Sequence, residues 1–296
     1  MVIIMKNILN YYYQIIIDDD KINSNGYFSY NNHLFCLYKY QRNIDEISSL
    51  VELNNYMINQ NIGINRIIFN IYNKPLTYYE ENNYILLLVN YEYKGGIFKF
   101  IPINGNNYQI LKRNNWSYLW SMKVDYIEYQ IKHLTNKYKI LNETVNYYIG
   151  ITENAIKYFN MIKLDNVNLF IGHRRINKDD LYNPAELVID YKVRDISEYL
   201  KKCFFEYNKS IYEIKKYLIN INLSSIDYIL LYIRMLYPSY YFDIYEKIVN
   251  KNYNEKDVLK VTNNIDLYEE LLYEIYLYIR RKINIIGITW INKKFE

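Results

Sequence analysis

Residues 170–190 read FIGHRRINKDDLYNPAELVID, and the architecture of the whole chain turns on this segment. Two short apolar runs, Leu169 to Ile171 and Leu187 to Ile189, flank a polar loop bounded by turn residues, which is the pattern of strand, loop and strand. The loop gathers His173, Arg174, Arg175, Asp179 and Asp180. Loops held by a rigid scaffold are where reactive and binding groups collect. An aspartate directly after the Val188-Ile189 strand end would project past the sheet edge, a place suited to a metal ligand facing a phosphate. Alternatively, Asp190 caps the turn that follows it.

On both sides of this segment the apolar residues recur at helical spacing. Upstream, Trp116, Leu119, Trp120, Val124, Ile127, Ile131 and Leu134 form one stripe, and Val145, Tyr148, Ile149, Thr152, Ile156 and Phe159 a second behind Asn142-Glu143. Downstream, helices are expected over 195–205, 211–219, 225–236 (stopped near Pro238), 240–249 and 265–283. Asp195 and Glu198 have the spacing of a capping box. The first ninety residues differ, alternating β-rich runs with turns. Strands are expected at Tyr11 to Ile17, Tyr27 to Tyr30, His33 to Tyr40, Arg66 to Tyr72 and Tyr84 to Tyr91, with one helix from Ile44 to Ile58. The spacing therefore predicts an α+β chain: a β-rich N-lobe over 1–94 and a larger helical C-lobe over 95–296 that carries the 168–195 segment.

Composition narrows the function classes. The chain has 296 residues, 51% hydrophobic and 23% charged, with 8 glycines and 4 prolines. Disordered tails, collagen-like rods and disulfide scaffolds are excluded. The 39 tyrosines, accompanied by many Asn, Ile and Lys, follow what AT-rich codons specify, and are read as genome composition. A net charge of +4 is dispersed along the chain, so nucleic-acid binding is not expected. Cys36 and Cys203 sit in apolar surroundings and are expected to be buried free thiols, fitting a reducing compartment. Three histidines without a Cys/His cluster argue against structural zinc. No apolar run approaches the roughly 20 residues of a membrane helix, and the opening run is short for a signal peptide, so a cytoplasmic protein without membrane attachment is expected.

The segment Ile171-Gly-His173, its polar loop and Leu187-Val-Ile-Asp190 resemble the catalytic loop and metal-binding strand of the aminoglycoside phosphotransferase and choline kinase group, whose pattern is His-Gly-Asp-x-x-x-x-Asn followed by an apolar strand closed by Asp. The order of the first ninety residues agrees: strands leading to Phe35-Cys-Leu-Tyr-Lys39, a helix with Glu46 and Glu52, then Tyr84-Ile-Leu-Leu-Leu-Val-Asn90. Within that group the chain most resembles the spore-coat kinase-like proteins of the CotS/YutH type, through Asn115-Trp116 to Tyr129-Gln130, the His-Arg-Arg loop, Asp190-Tyr-Lys-Val-Arg-Asp195 and Leu236-Tyr-Pro-Ser-Tyr-Tyr-Phe-Asp243.

The resemblance implies a two-lobed, protein-kinase-like fold, with Lys39 as the phosphate-pairing lysine, Glu46 or Glu52 as its partner, and Asp190 as a magnesium ligand. It also exposes a departure. Two places after His173, where the group has the Asp that accepts the substrate's proton, this chain has Arg175, and a guanidinium stays protonated at any working pH. Asp180 stands where the group has its metal-binding Asn, and it or Asp179 could hold magnesium without replacing the base. No glycine-rich phosphate loop is present, and Gly26 reads as a hairpin residue. The implied role is a degenerate, pseudokinase-like scaffold or binding protein, spore-associated, engaging a small molecule or protein between the lobes. The competing implication is an ATP- and magnesium-dependent small-molecule phosphotransferase. Arg174 and Arg175 either bind an anionic partner or pair with Asp190, Asp195 or Glu198 to hold the loop. Trp116 and Trp120 read as core residues.

Overall fold

The computed structural model describes every residue except 1, 19–20, 90–99, 104–107, 135–136, 165–166, 177–180 and 252. The chain forms two compact units: residues 1–99, 104–112 and 173–189 make the first, and 100–103, 113–172 and 190–296 the second.

In the first unit, helix α1 (Val2–Tyr13) precedes strands β1 (Tyr27–Tyr30) and β2 (His33–Tyr40), helix α2 (Ile47–Asn59), and strands β3 (Arg66–Ile68), β4 (Thr77–Tyr79) and β5 (Asn82–Leu88). The strands pair antiparallel in the order β1-β2-β5-β3, and β4 also pairs with β5. Register sets Lys39 opposite Tyr84 and Tyr38 opposite Ile85. The core joins Met5, Ile8 and Leu9 of α1 to Phe28, Leu37 and Leu86 of the sheet. The strand expected at Tyr11 to Ile17 is instead the end of α1 and an extended tail. Met5, Ile8 and Leu9 present one helical face to the sheet, and Gln14, at φ 55°, ends the helix. Ile15 and Ile17 are buried while Ile16 is exposed, so the tail has strand-like alternation without a strand.

Gly26 sits at φ 84°, and a Cβ there would lie 2.4 Å from the Leu37 carbonyl oxygen. Leu37 N donates to Gly26 O at 2.9 Å, which fixes that close approach. Gly26→Ala therefore meets both a left-handed backbone and a backbone collision.

In the second unit, β6 (Ile101–Ile103) pairs antiparallel with β7 (Leu169–His173). Helices α3 (Trp116–Leu134) and α4 (Lys139–Asn160) come between them in sequence and pack on each other. Strand β8 (Leu187–Tyr191) leads to α5 (Val193–Phe205), α6 (Ile211–Ile219), α7 (Ser225–Leu236), α8 (Ser239–Lys251), α9 (Leu259–Thr262), α10 (Ile265–Arg280) and α11 (Thr289–Phe295). Helix α7 lies against α4, α5 and α10, and Leu230, Leu231, Tyr232 and Met235 are fully buried there. Cys36 and Cys203 are buried free thiols. Among the described residues no helix is long and apolar enough to cross a membrane.

Two features depart from the sequence reading. Residues 173–189 belong with the first unit rather than with the helical one. The cause is hydrogen bonding: Asn65 N donates to Tyr182 O at 2.9 Å, and Arg42 reaches the carbonyls of Ala185 and Leu187. The Asp195–Glu198 pair does not cap α5, which begins at Val193 with no side-chain cap. Glu198 is instead buried against Arg234 and Ser239. Capping boxes start α6, through Ser210 and Glu213, and α7, through Ser224 and Asp227.

Two outcomes follow. Gly26→Ala lowers unfolding free energy by about 1–3 kcal/mol, read from urea denaturation. Hydrogen bonds from Lys209 and Ser210 hold the Glu213 carboxyl down at about 2. A depressed carboxyl adds stability above its unfolded value and loses it as pH falls toward the folded one. Glu213→Gln should therefore flatten the decline of thermal midpoint between about pH 4.5 and pH 2.

Candidate functional site

In the first unit the site residues converge on the turn before β8. Asn183 accepts from Ala185 N at 2.9 Å and starts a single 3-10 turn, Pro184–Glu186, which exposes the Ala185 and Leu187 carbonyls to donors. Arg42, from the loop after β2, fills that place. Its Nε donates to Glu46 Oε2 at 2.6 Å, its Nη2 bonds the same oxygen, and its Nη1 donates to Ala185 O at 2.8 Å and Leu187 O at 2.6 Å. The Arg42 side chain is 3% exposed, so this fork is a buried, fully used ion pair.

Around it, Tyr38 OH donates to Glu186 Oε1 at 2.9 Å, and Arg174 Nη1 lies 3.9 Å from the same oxygen. Arg174 N also donates to Glu186 O at 2.8 Å. His173 Nε2 donates to the Leu181 carbonyl at 2.9 Å, which fixes its tautomer, and Arg175 Nη1 donates to Arg174 O at 2.8 Å. Burial pushes the Tyr40 hydroxyl up to about 12, against the pull of Arg42 and Arg174.

The predicted nucleotide-binding residues are distributed differently from the resemblance. Glu46 is engaged by Arg42, while Lys39 on β2 and Glu52 on α2 are exposed, and Lys39 makes no ion pair among the described residues. Asp179 and Asp180 lie outside the described residues. Glu186 is a carboxylate neighbour of Arg174 that the sequence reading did not name. Sequence reasoning missed Arg42 and Glu186. The Arg42-x-x-x-Glu46 spacing was the available signal for the first, and no local pattern marked the second.

In the second unit, Asp190 is 1% exposed. Trp116 Nε1 donates to both of its oxygens, at 2.9 and 3.1 Å, Arg194 Nη1 donates to Oδ2 at 2.7 Å, and Tyr191 N to Oδ1 at 2.8 Å. Burial pushes this carboxyl upward, opposed by Arg194, Arg234 and the hydrogen bonds from Arg194 and Trp116. Beside it, Arg234 stacks over the Trp116 and Trp120 rings at 5.3 and 5.6 Å and pairs with Glu198 at 3.1 Å. Lys201, 1% exposed, donates to Arg234 O and Tyr237 O at 2.8 and 2.7 Å. Gly172 allows Asp195 close to β7, because a Cβ there would lie 3.0 Å from Asp195 Oδ1.

An ionised carboxylate offers about four lone-pair sites. Those of Asp190 are taken by an indole, a guanidinium and a backbone N–H, so a magnesium ion would have to displace Arg194 or Trp116. Among the described residues no group of three or more His, Cys, Asp or Glu side chains comes together, and Asp179 and Asp180 lie outside them.

A family model described as "Spore coat putative kinase YutH" matches residues 6–275. The chain belongs to the spore coat YutH family. It is 27% identical over 208 residues to the endospore coat-associated protein YutH of Bacillus subtilis (strain 168), a match spanning 60% of this chain and 61% of that relative. Among solved structures, spectinomycin phosphotransferase in complex with ADP and spectinomycin superposes with a TM-score of 0.53 at 15% identity, covering 95% of this chain and 94% of that one. An aminoglycoside phosphotransferase from Alicyclobacillus acidocaldarius superposes with a TM-score of 0.53 at 8% identity, covering 90% and 97%. The fold is thus that of the aminoglycoside phosphotransferases, a small antiparallel sheet with one following helix and a mainly helical remainder.

Replacing Arg42 tests the buried fork. Arg42→Met removes the guanidinium that Glu46 is bonded to and should lower unfolding free energy by about 3–5 kcal/mol. Arg42→Lys keeps the charge but not the fork and should recover only part of that loss. Chemical denaturation of the two variants beside the parent protein checks both values.

Proposed function

We propose that this protein is a kinase-fold homologue that has given up phosphoryl transfer and serves as a binding or scaffold component of a spore coat or of its assembly. The observation that carries the reading is Arg175, two residues after His173, where the resembled phosphotransferases place the carboxylate base. Phosphoryl transfer depends on positioning and charge neutralisation, with a base or orienting group for the attacking oxygen. A guanidinium cannot accept that proton. The reading is further supported by Glu46, held by Arg42 rather than by Lys39, and by Asp190, whose carboxylate is spent on Trp116 and Arg194. The coat setting rests on the family and on the coat-associated relative.

The partner in this reading is a protein or small molecule rather than a nucleic acid, since the basic residues are dispersed. A degenerate kinase fold of this kind needs neither ATP nor magnesium. The competing reading, an active ATP- and magnesium-dependent small-molecule phosphotransferase, predicts the opposite behaviour.

Thermal unfolding with and without millimolar ATP and magnesium separates the two, because a ligand at 100 times its Kd stabilises the native state by about 2.7 kcal/mol. The expected result is an unchanged midpoint, with no ADP released above a protein-free control. A saturable upward shift accompanied by ADP formation overturns the scaffold reading.

A further inference from the structure

Helix α3 is apolar on two faces. Trp116, Trp120, Val124 and Ile127 form the buried one. The opposite face carries Tyr118, Met122, Asp125, Tyr129 and Lys132, spaced by four, three, four and three residues, with Tyr126 and His133 alongside. That spacing is the heptad seam along which one helix packs on another. These side chains point to solvent: Tyr118 is 60% exposed, Met122 53%, Tyr126 44% and Tyr129 64%. Lys123, paired with Glu246, and Gln130, bonded to Asn250, tie α3 down to α8 and leave the seam outward.

The geometry points to a second copy of this chain as the occupant of the seam, with α3 meeting α3 antiparallel about a two-fold axis near Ile127. The charges select this partner and this direction. Asp125 and Lys132 both lie on the seam, and neither forms an ion pair among the described residues. A parallel pair would set Asp125 against Asp125 and Lys132 against Lys132. With an antiparallel pair centred at Ile127, Lys132 of one copy falls three residues, about 4.5 Å along the axis, from Asp125 of the other. The symmetry repeats that contact, so one surface supplies two opposite-charge pairs.

The same register lays Tyr129 over Asp125 and Met122 over Lys132, so apolar stems cover the charges. Tyr118, Met122, Tyr126 and Tyr129, 44–64% exposed, offer on the order of 100 Å² each, roughly 400 Å² per copy, the size of a weak and reversible contact. Part of the ordering is already in place. The Tyr129 and His133 rings meet edge to face at 4.6 Å, and Gln130 Nε2 donates to Tyr126 OH at 2.7 Å, which reduces the entropy lost on association.

Sedimentation velocity of the full chain, run from micromolar to submillimolar concentration, tests the pairing. Wild type should show a concentration-dependent monomer–dimer equilibrium. Asp125→Lys and Lys132→Asp should each sediment as monomers, because each places like charges across the axis. An equimolar mixture of those two variants, and the double variant D125K/K132D, should dimerise again. Tyr129→Ser should weaken the dimer about tenfold or more. All these positions are exposed, so far-UV circular dichroism and the thermal midpoint of the monomer should not change. A wild type that stays monomeric throughout overturns the inference. So does a dimer insensitive to the single charge reversals, or a mixture of the two variants that stays monomeric.

Discussion

The helical unit is organised around one buried negative charge. Asp190 comes directly after Ile189, the last residue of the first unit, and its carboxylate is sealed from water at a depth where an isolated ion would cost several kcal/mol. Everything around it answers that charge. Trp116 turns its only polar atom toward it, Arg194 returns to it from the first turn of α5, and Arg234 on α7 adds a second positive field while stacking on Trp116 and Trp120. Arg234 must then be neutralised in turn, which Glu198 does, and Lys201 closes the chain by donating to the last carbonyls of α7. Helices α3, α5 and α7 are fixed to one another by this sequence of charges as well as by apolar contact.

The first unit solves a similar problem with a different residue. Glu46, at the start of α2, is buried, and a buried carboxylate must be paired. Here Arg42 supplies the pairing from a loop, and its fork spends its remaining donor on the Ala185 and Leu187 carbonyls. A lysine at the same place could not hold one carboxylate and two carbonyls in a fixed plane. The arginine fixes α2 to the turn before β8, and the same atoms that fix it are unavailable to a ligand.

Much of this was legible in the sequence. The 211–219 and 225–236 helices have clear stripes, strong capping residues and a terminating Pro238, and they occur at those bounds. Strands β7 and β8 announced themselves as short apolar runs around a polar loop. The failures share a cause. Tyr11 to Ile17 alternates like a strand because a helix end and an extended tail adjoin there, and a seven-residue window cannot separate periods of 2 and 3.6. Asp195 and Glu198 match a capping spacing, but α5 starts earlier and tertiary pairing claims Glu198. Arg42 and Glu186 were missed because the carbonyls that Arg42 reaches and the Tyr38 hydroxyl that Glu186 accepts from lie more than a hundred residues away, which local pattern does not encode, although the four-residue step from Arg42 to Glu46 was a local signal.

Tyrosine shows where composition and structure divide the explanation. The number of tyrosines does not say how the fold uses them. In the core, Tyr268 finds the Met235 carbonyl and Tyr241 finds Thr144, whereas the buried hydroxyls of Tyr148 and Tyr245 have no protein partner among the described residues. A buried hydroxyl without a partner is destabilising relative to phenylalanine. The hydroxyl carries no such penalty in water. On an exposed face, tyrosine offers a large, stiff, amphipathic surface that stays soluble while free and buries well when covered. Tyr118, Tyr126 and Tyr129 on α3 are side chains of this kind.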